Sequence, residues 1–270
     1  MQSGVHISQG NFGKNSEQPR LHSVIEGLFP VYETDIFLAS YPKSGNTWLR
    51  FLIANLLAPD KEITFRNVDD YVFSFNRDPK TWPTDKHPRF IKSHWRFFQH
   101  YPRFIYIFRD GRDALISYYH FMQARTGSTE TFSEFLDQYM GDKEDIPFGR
   151  WDQHLKAVMV AMQSRHPQSF LVLQYENMLD FPVDAARKVA LFCGLNASEE
   201  ALTAAAGKCK FETLKLNEEK NGPEHLEKPY TFFRKGTREQ WKDVYSDEDL
   251  EKFNRHAGEI LEGLGYSLAR

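Results

Sequence analysis

The chain has 270 residues, of which 41% are hydrophobic and 26% charged, and this composition excludes collagen-like, coiled-coil and wholly disordered proteins. The formal net charge of -3 gives no indication of binding to nucleic acid or anionic lipid. Two cysteines cannot form a disulfide framework, and neither a secretory signal nor an apolar run of membrane-spanning length is present, so a cytoplasmic protein is expected.

The first ordered unit is predicted to begin after a polar arm. Residues 1–20 are rich in Gly, Ser, Asn and Gln and predict a frayed arm, followed by one domain over residues 21–270. Residues 35–40 form a short apolar run that predicts a strand. A periodic apolar pattern from Trp48 to Leu57 predicts a helix that ends before Pro59. The order is therefore a strand, a tight loop and a buried helix.

The same kind of unit recurs along the chain. The further predicted elements are strands over residues 89–92, 103–108 and 170–175, and helices over about 112–122, 151–166, 183–192 and 247–264. Strands that are buried on both sides and alternate with helices predict an α/β domain with a central parallel sheet flanked by helices on both faces. The connections over residues 63–88 and 124–150 are long enough to be substrate-covering loops.

The loop after the first strand has residue types that suit an anion. It reads Lys43, Ser44, Gly45, Asn46, Thr47 and Trp48. A helix N-terminus offers backbone amides and a positive dipole to a phosphate, and the lysine adds a cation. The spacing is not that of a Walker A motif, because the lysine precedes the glycine, so hydrolysis of a nucleoside triphosphate loses its main support. The alternative is a tight turn with a surface lysine.

Two later segments carry cations at comparable places. Arg109 stands at the carboxyl end of the predicted strand over residues 103–108, and Ser117 lies on the helix that follows. Ligands of open α/β sheets gather at the carboxyl ends of strands, so both residues can face the same crevice as the Lys43 loop. Further along, Arg234, Lys235 and Gly236 can clamp a doubly charged phosphate. Each segment alone also fits a solvated surface turn.

The combination of these segments resembles a known family. The motifs over residues 41–48, 109–121 and 234–242 occur in the order and at the approximate distances seen in the cytosolic sulfotransferases, and residues 92–94 and 175–178 resemble two further family signatures. Together they span nearly the whole chain. The sequence is thus similar to the sulfotransferases that use 3′-phosphoadenosine 5′-phosphosulfate (PAPS), which implies their P-loop-kinase-like fold.

The resemblance implies a donor site built from all three motifs and two aromatic rings. PAPS would bind without a metal and leave as 3′-phosphoadenosine 5′-phosphate (PAP). The 5′-phosphosulfate would lie on the loop from Lys43 to Thr47, with Trp48 against the adenine. The other implied donor-binding residues are Arg109, Ser117, Arg234, Lys235 and Gly236 at the 3′-phosphate, and Tyr175 and Phe211 at the adenine.

The resemblance also implies catalytic roles for His94, Lys43 and Lys92. His94 would be the general base, and an ordinary histidine pKa of about 6.5 suits the removal of a hydroxyl proton near neutrality. Lys43 would neutralise charge on the leaving phosphate, and Lys92 would support the sulfuryl group during in-line displacement.

The implied acceptor is a small molecule with a hydroxyl or, less often, an amine. An aromatic or apolar acceptor is favoured, with a saccharide as the alternative, because rings are concentrated around His94 and 15 of the 40 aromatic residues lie between Tyr71 and Phe121. The candidate walls of the acceptor pocket are Phe73, Phe75, Trp82, Trp95 and Phe97.

Two competing functions stay open from the sequence. They are a P-loop nucleotide kinase and a non-catalytic phosphoadenosine-nucleotide-binding protein.

Gly111 stands where the family usually has proline, and we expect this to change only the rigidity of the turn; Asn46 stands where threonine is frequent. Ser246 and Asp247 alter the segment that usually forms the family's dimer, so the sequence leaves monomer and dimer open.

Overall fold

One parallel sheet organises the part of the chain that the structure describes. The computed structural model covers residues 31–86, 88–141, 146–222 and 231–268, so the predicted arm over residues 1–20 lies outside it. The strands are β1 (Ile36–Ser40), β2 (Val72–Ser74), β3 (Phe90–Ser93), β4 (Arg103–Phe108) and β5 (Phe170–Gln174). They pair in the order β2-β3-β1-β4-β5, and every pairing is parallel.

Helices connect and cover these strands. They are α1 (Asn46–Leu57), α2 (Gly111–Thr126), α3 (Phe132–Met140), α4 (Trp151–Gln163), α5 (Tyr175–Asp180), α6 (Pro182–Cys193), α7 (Glu199–Lys208), α8 (Phe211–Asn221), α9 (Trp241–Val244) and α10 (Asp247–Gly263). The acidic residues at the start of α10 lie in its first turn, where Ser246 and Asp249 form a capping box, so they counter the positive end of the helix dipole.

The chain changes its direction of winding between β1 and β4. From β1 it crosses to β2 at the edge, returns through β3, and then passes to the other side of β1 to form β4 and β5. In register, Ile36 of β1 lies opposite Phe90 of β3 and Arg103 of β4. In open α/β sheets the carboxyl ends of the strands at such a reversal are the usual place for a ligand.

The sheet has a hydrophobic core on each face. Alternate residues of β1 point to opposite sides: Phe37 and Ala39 belong to a cluster with side chains of α2, α3, α4 and α10, whereas Ile36 and Leu38 belong to a second cluster with α1, α6 and α7. All four β1 side chains are fully buried. The predicted parallel sheet with helices on both faces is therefore confirmed.

Two predicted loops contain regular structure instead. The segment over residues 63–88 includes β2, which has only three residues and pairs with β3 alone. The segment over residues 124–150 includes α3, which Thr131 and Glu134 begin with a capping box. The last strand was predicted to end at Tyr175, but it ends one residue earlier, since Tyr175 begins α5. β2 and α3 were missed because short elements contain too few residues for a reliable hydrophobic period.

Gly111 does more than alter a turn. A Cβ at this position would lie 2.5 Å from the ring of Trp151 and 2.8 Å from the ring of Phe253. No real Cβ contact is that short, so only glycine lets α4 and α10 pack this closely on the start of α2. The expectation that the change from proline affects turn rigidity alone is wrong.

A buried ion pair joins the amino ends of β1 and β3. Arg89 donates to both carboxylate oxygens of Asp35, from Nε at 2.8 Å and from Nη2 at 2.6 Å, and both side chains are fully buried. Its Nη1 donates to the carbonyl of Pro83, and Asp35 also accepts from the amide of Tyr32. The two charges are thus paired and hydrogen-bonded, as buried charges have to be.

Removing one partner of this pair should destabilise the fold strongly. Asp35→Ala leaves the Arg89 guanidinium buried without its counter-charge, and we expect the free energy of unfolding to fall by about 3–5 kcal/mol in urea denaturation. Glu62→Ala, which removes the exposed pair with Lys220, is the control and should leave the urea midpoint unchanged. Equal losses in the two variants would contradict the role given to burial.

Candidate functional site

The loop between β1 and α1 presents an open helix N-terminus. Lys43 (φ 64°) and Gly45 (φ 106°) both have left-handed backbone conformations, which turn the chain sharply from the strand into the helix. The first turn of α1 contains no acidic residue, and no side chain caps it with a hydrogen bond. The backbone amides and the positive end of the helix dipole are therefore open to an anion, since no carboxylate or capping side chain of the first turn competes for them.

The side chains of this loop are mostly turned inward. Asn46 donates from Nδ2 to the carbonyl of Leu38 at 2.8 Å and to Oγ of Ser40 at 3.3 Å, so its side chain ties the helix to β1. Thr47 and Trp48 are nearly buried, and Trp48 packs in the cluster on the α1 face of the sheet. The Ser44 hydroxyl is buried and has no hydrogen-bond partner among the described residues.

Arg109 connects the first junction to the second. It follows β4, and its Nη1 donates to the carbonyl of Lys43 at 3.1 Å. Its guanidinium lies 4.6 Å from the centre of the Tyr175 ring, while its Nε is buried with no hydrogen-bond partner among the described residues. The same Tyr175 ring lies so close to Gly45 that a Cβ there would be 2.6 Å from it. The structure thus brings four predicted site residues together.

The basic segment late in the chain meets α2. Burial, followed by the nearby charges of Arg234 and Lys235, lowers the pKa of His120. Ser117 lies three residues before His120 on the same helix, so these two side chains share one side of α2. Gly236 (φ 65°) lies against Phe211, where a Cβ would be 2.4 Å from the ring.

Asp113 attaches the residues after Gly236 to α2. Its carboxylate accepts from the amides of Glu239 at 2.8 Å and Trp241 at 3.1 Å, and Nη2 of Arg109 lies 3.8 Å away. Burial raises the pKa of Asp113 to about 6, against the opposing effects of the Arg109 charge and the two amides. One carboxylate therefore couples the second motif to the third.

Glu218 fixes the residues before Arg234. It is 4% exposed, and its carboxylate accepts from the amides of Phe232 and Phe233. The Phe232 ring lies beneath the Lys43 ammonium, with Nζ 3.5 Å from the ring centre. Nζ also lies 4.9 Å from the centre of the Phe121 ring. These contacts place the ammonium of the predicted catalytic lysine between α2 and the residues before Arg234.

His94 lies directly after β3, next to the end of β1. Its Nδ1 is 2.8 Å from the carbonyl oxygen of Ser40. A carbonyl can only accept, so Nδ1 carries the proton and the neutral ring has its lone pair on Nε2. Lys92 lies two residues earlier in β3, in register with Leu38, and its side chain is half-buried. The imidazole therefore has the tautomer that a general base needs.

The rings proposed as pocket walls form a connected set, but most of them are core. Phe73, Phe75, Trp82 and Phe97 are all at most 5% exposed. Trp95 stacks on Phe97 and reaches Phe148, whose ring centre is 5.7 Å from that of His94. Phe148 is therefore an aromatic neighbour of His94 that the sequence did not indicate.

Beneath His94 lies a second, fully buried histidine. His154 on α4 contacts the carbonyl oxygen of His94 through Nε2 at 3.0 Å and the hydroxyl of Tyr106 through Nδ1 at 2.8 Å. Burial lowers the pKa of His154 to about 3, with a small opposing effect of its bond to His94. The ring is neutral at physiological pH.

Comparison with known proteins decides the family. The sulfotransferase domain family matches residues 33–265. This chain belongs to the sulfotransferase family. Flavonol 3-sulfotransferase of Flaveria bidentis is 28% identical over 90% of this chain and 86% of its own length. Sulfotransferase 1E1 of Bos taurus is 27% identical over 93% of this chain and 93% of its own length.

Solved structures agree on the fold of this sulfotransferase. The crystal structure of mouse sulfotransferase SULT7A1 with PAP gives a TM-score of 0.69 at 23% identity, covering 90% of this chain and 93% of that one. Retinol dehydratase with androsterone and PAP gives a TM-score of 0.69 at 20% identity, covering 92% of this chain and 85% of that one. The predicted P-loop-like sulfotransferase fold is confirmed.

Two further features of the sulfotransferase bear on its chemistry. Within the described ranges, His, Cys, Asp and Glu side chains form no group of three that could hold a metal ion. Over the same residues, no helix is long and apolar enough to span a membrane. A donor site without metal and a cytoplasmic location stay predictions.

Several residues of the site were missed by the sequence analysis. Asp113 lies in the first turn of α2, four residues after Arg109, a spacing that the sequence does display. Glu218, Phe148 and His154 give no comparable signal, since each meets its partner across a long stretch of chain.

His154 should make the sulfotransferase less stable in acid. The pKa of His154 in the folded protein is lower than the ordinary 6.5. The unfolded chain therefore binds a proton that the folded chain does not bind, and the free energy of unfolding decreases as the pH falls below about 6.5. Between pH 7 and pH 5 we expect the free energy of unfolding, measured by urea denaturation, to fall by about 2 kcal/mol more in wild type than in His154→Gln. His166→Gln, which changes an exposed histidine, should behave as wild type; parallel curves for wild type and His154→Gln would contradict the assignment.

Proposed function

We propose that this sulfotransferase transfers a sulfuryl group from PAPS to a hydroxyl, or less often an amine, of a small-molecule acceptor. The observation that carries the proposal is the meeting of Lys43, Arg109 and Tyr175 at one end of the sheet, with the His94 ring held beside them by Ser40. This arrangement supports one shared site for the anion-binding groups and the base.

The charges and buried polar atoms fit a donor of this kind. PAPS carries phosphate groups at both ends of its ribose, and the cations that would bind them are Lys43, Lys92, Arg109, Arg234 and Lys235. Two polar atoms, Oγ of Ser44 and Nε of Arg109, are buried without a hydrogen-bond partner among the described residues. Such atoms are costly to bury unless something binds them, which supports an anionic ligand.

Each group of residues would hold one part of the donor. The amides at the start of α1, with Ser44, Thr47 and Lys43, would hold the 5′ end. The 3′-phosphate would be held by Arg109, Ser117, Arg234, Lys235 and Gly236. The adenine would lie near Tyr175 and Phe211, the two rings that pack against glycines of the first and third motifs, with Trp48 behind the loop. Asn46 would contribute its backbone amide, since its side chain is bonded to β1.

His94 would remove the proton of the acceptor. When bound, PAPS supplies a sulfuryl group attached to a phosphate leaving group. Nε2 of His94 can accept the hydroxyl proton because Nδ1–H is held by the Ser40 carbonyl. The Lys43 ammonium would counter negative charge on the leaving side, and Lys92 would do so at the sulfuryl side. The transfer is therefore assigned to residues on β1, β3 and their loops.

An aromatic or apolar acceptor fits the rings around His94. Phe148 packs edge-on to His94, and Trp95 packs on Phe148. Flat apolar alcohols such as phenols would be bound by such surfaces, although rings also stack on sugars. A panel of phenolic, aliphatic and saccharide acceptors with PAPS separates these classes, and turnover confined to saccharides would overturn the aromatic assignment.

The donor assignment is tested by nucleotide binding. We expect isothermal titration calorimetry to show that PAP binds and that ATP binds much more weakly, whereas a preference for ATP would favour a nucleotide kinase. Arg109→Ala removes charge-assisted hydrogen bonds and should weaken PAP binding about 10- to 150-fold. Arg187→Ala, which changes an exposed arginine on α6, is the matched control and should keep wild-type affinity.

The base assignment is tested by turnover. His94→Ala should lower kcat by about 10²–10⁴-fold with an unactivated hydroxyl acceptor, and leave PAP affinity within about threefold, because the proton acceptor is lost and the donor contacts are kept. His166→Ala, at the opposite edge of the sheet, should retain wild-type kcat. Near-normal turnover of His94→Ala would show that another group removes the proton, and tight PAP binding without turnover of any acceptor would favour a non-catalytic nucleotide-binding protein.

A further inference from the structure

The buried histidine beneath the proposed base has no part in the donor or acceptor contacts described above. His154 is fully buried and enclosed by the rings of Tyr41, Phe98 and Tyr106, with ring-centre distances of 5.7, 5.3 and 5.7 Å. A polar ring among aromatic side chains is costly unless both nitrogens are hydrogen-bonded. The direction of its two hydrogen bonds therefore decides what it does.

Both nitrogens of His154 have a defined role. The carbonyl oxygen of His94, 3.0 Å from Nε2, can only accept, so Nε2 carries the proton and donates. Nδ1 then has the lone pair and accepts from the Tyr106 hydroxyl at 2.8 Å. This neutral tautomer satisfies every polar atom of the ring. The hydroxyl of Tyr106 fixes the tautomer, and the tautomer fixes the donor to His94.

His94 is consequently held at two points. Its ring donates to the Ser40 carbonyl at the end of β1, and its own carbonyl accepts from His154 on α4. β3 ends at Ser93, so the peptide of His94 lies outside the strand and lacks the regular pairing of the sheet. The hydrogen bond from His154 replaces that pairing at the residue that carries the base.

We propose that His154 is a positioning residue that orients His94 for proton removal from the acceptor, with Tyr106 selecting its tautomer. The inference rests on the proposed function, since it takes His94 as the base. Rotation of the His94 peptide would displace Nε2 relative to the acceptor hydroxyl, and a displacement of about 1 Å is enough to slow a reaction about 100-fold. Binding of the donor depends on other residues and should be unaffected.

Two substitutions at this position separate positioning from packing. His154→Leu removes the donor to the His94 carbonyl, whereas the amide of Gln in His154→Gln can restore it. With the best phenolic acceptor of the panel, we expect His154→Leu to lower kcat about 30- to 100-fold and to leave the PAPS KM and the PAP affinity within about threefold. His154→Gln should recover kcat to within about fivefold of wild type.

The control addresses loss of stability. Val158→Ala shortens a buried side chain one turn further along α4, so it lowers thermal stability without touching His94. It should keep wild-type kcat. If His154→Leu kept the kcat of Val158→Ala, or lost PAP affinity in proportion to kcat, the positioning role would be wrong and His154 would be structural.

A second variant and a spectroscopic readout cover the case in which His154→Leu does not fold. Tyr106→Phe removes the bond that selects the tautomer, and we expect about a three- to tenfold loss of kcat with PAP affinity kept. Imidazole ¹⁵N NMR should show the Nδ1–H tautomer for His94 in wild type and a tautomer mixture for His154 in Tyr106→Phe. Wild-type kcat together with an unchanged His154 tautomer in Tyr106→Phe would overturn the proposal.

Assaying His94→Ala in parallel distinguishes a wrong assignment of the base from a wrong role for His154. If His94→Ala retained turnover, the proposed base would be wrong and the positioning role would fall with it. If His94→Ala lost turnover while His154→Leu and Tyr106→Phe kept wild-type kcat, only the role of His154 would be wrong.

Discussion

The parallel pairing of β1 with β3 on one side and β4 on the other is the constraint on which the site depends. Neighbouring strands are about 4.8 Å apart, so the residues that leave β3 and β4 begin within roughly 10 Å of each other, on either side of the loop from β1. His94 follows β3, Lys43 follows β1 and Arg109 follows β4. The proposed base and the two proposed anion-binding groups are thus adjacent because the strands are, and the buried pair of Asp35 and Arg89 secures the opposite end of β1 and β3.

Two buried carboxylates extend this arrangement to a segment far away in sequence. Residues 231–240 contain no helix or strand, and their basic pair would be an ordinary solvated surface feature by itself. Glu218 accepts two amides before the pair and Asp113 accepts two amides after it. Charge-assisted bonds of this kind are stronger than neutral ones, so they hold the backbone of the segment against the body of the domain. The cations of the third motif are thus carried on a backbone that two acids hold in place.

The sequence was informative where chemistry follows a local pattern. The apolar runs predicted β1, β3, β4 and β5 to within about one residue. The rule that ligands bind at strand ends placed Lys43 near Arg109, and the two residues are hydrogen-bonded in the structure. Local pattern does not determine which way a side chain turns, and Asn46 bonds β1 rather than the crevice. Contacts across long stretches of chain, such as Glu218 with Phe232 or His154 with His94, leave no trace in spacing.

The close packing of Gly111 on Trp151 couples the start of α2 to the start of α4. A residue with a Cβ at position 111 requires a smaller side chain at position 151, because the ring now occupies the space that the Cβ would take. The Cβ of a proline at position 111 would meet this tryptophan in its present place, so the ring would have to shift. Trp151 is the first residue of α4, so a larger residue at position 111 acts on the same helix that carries His154.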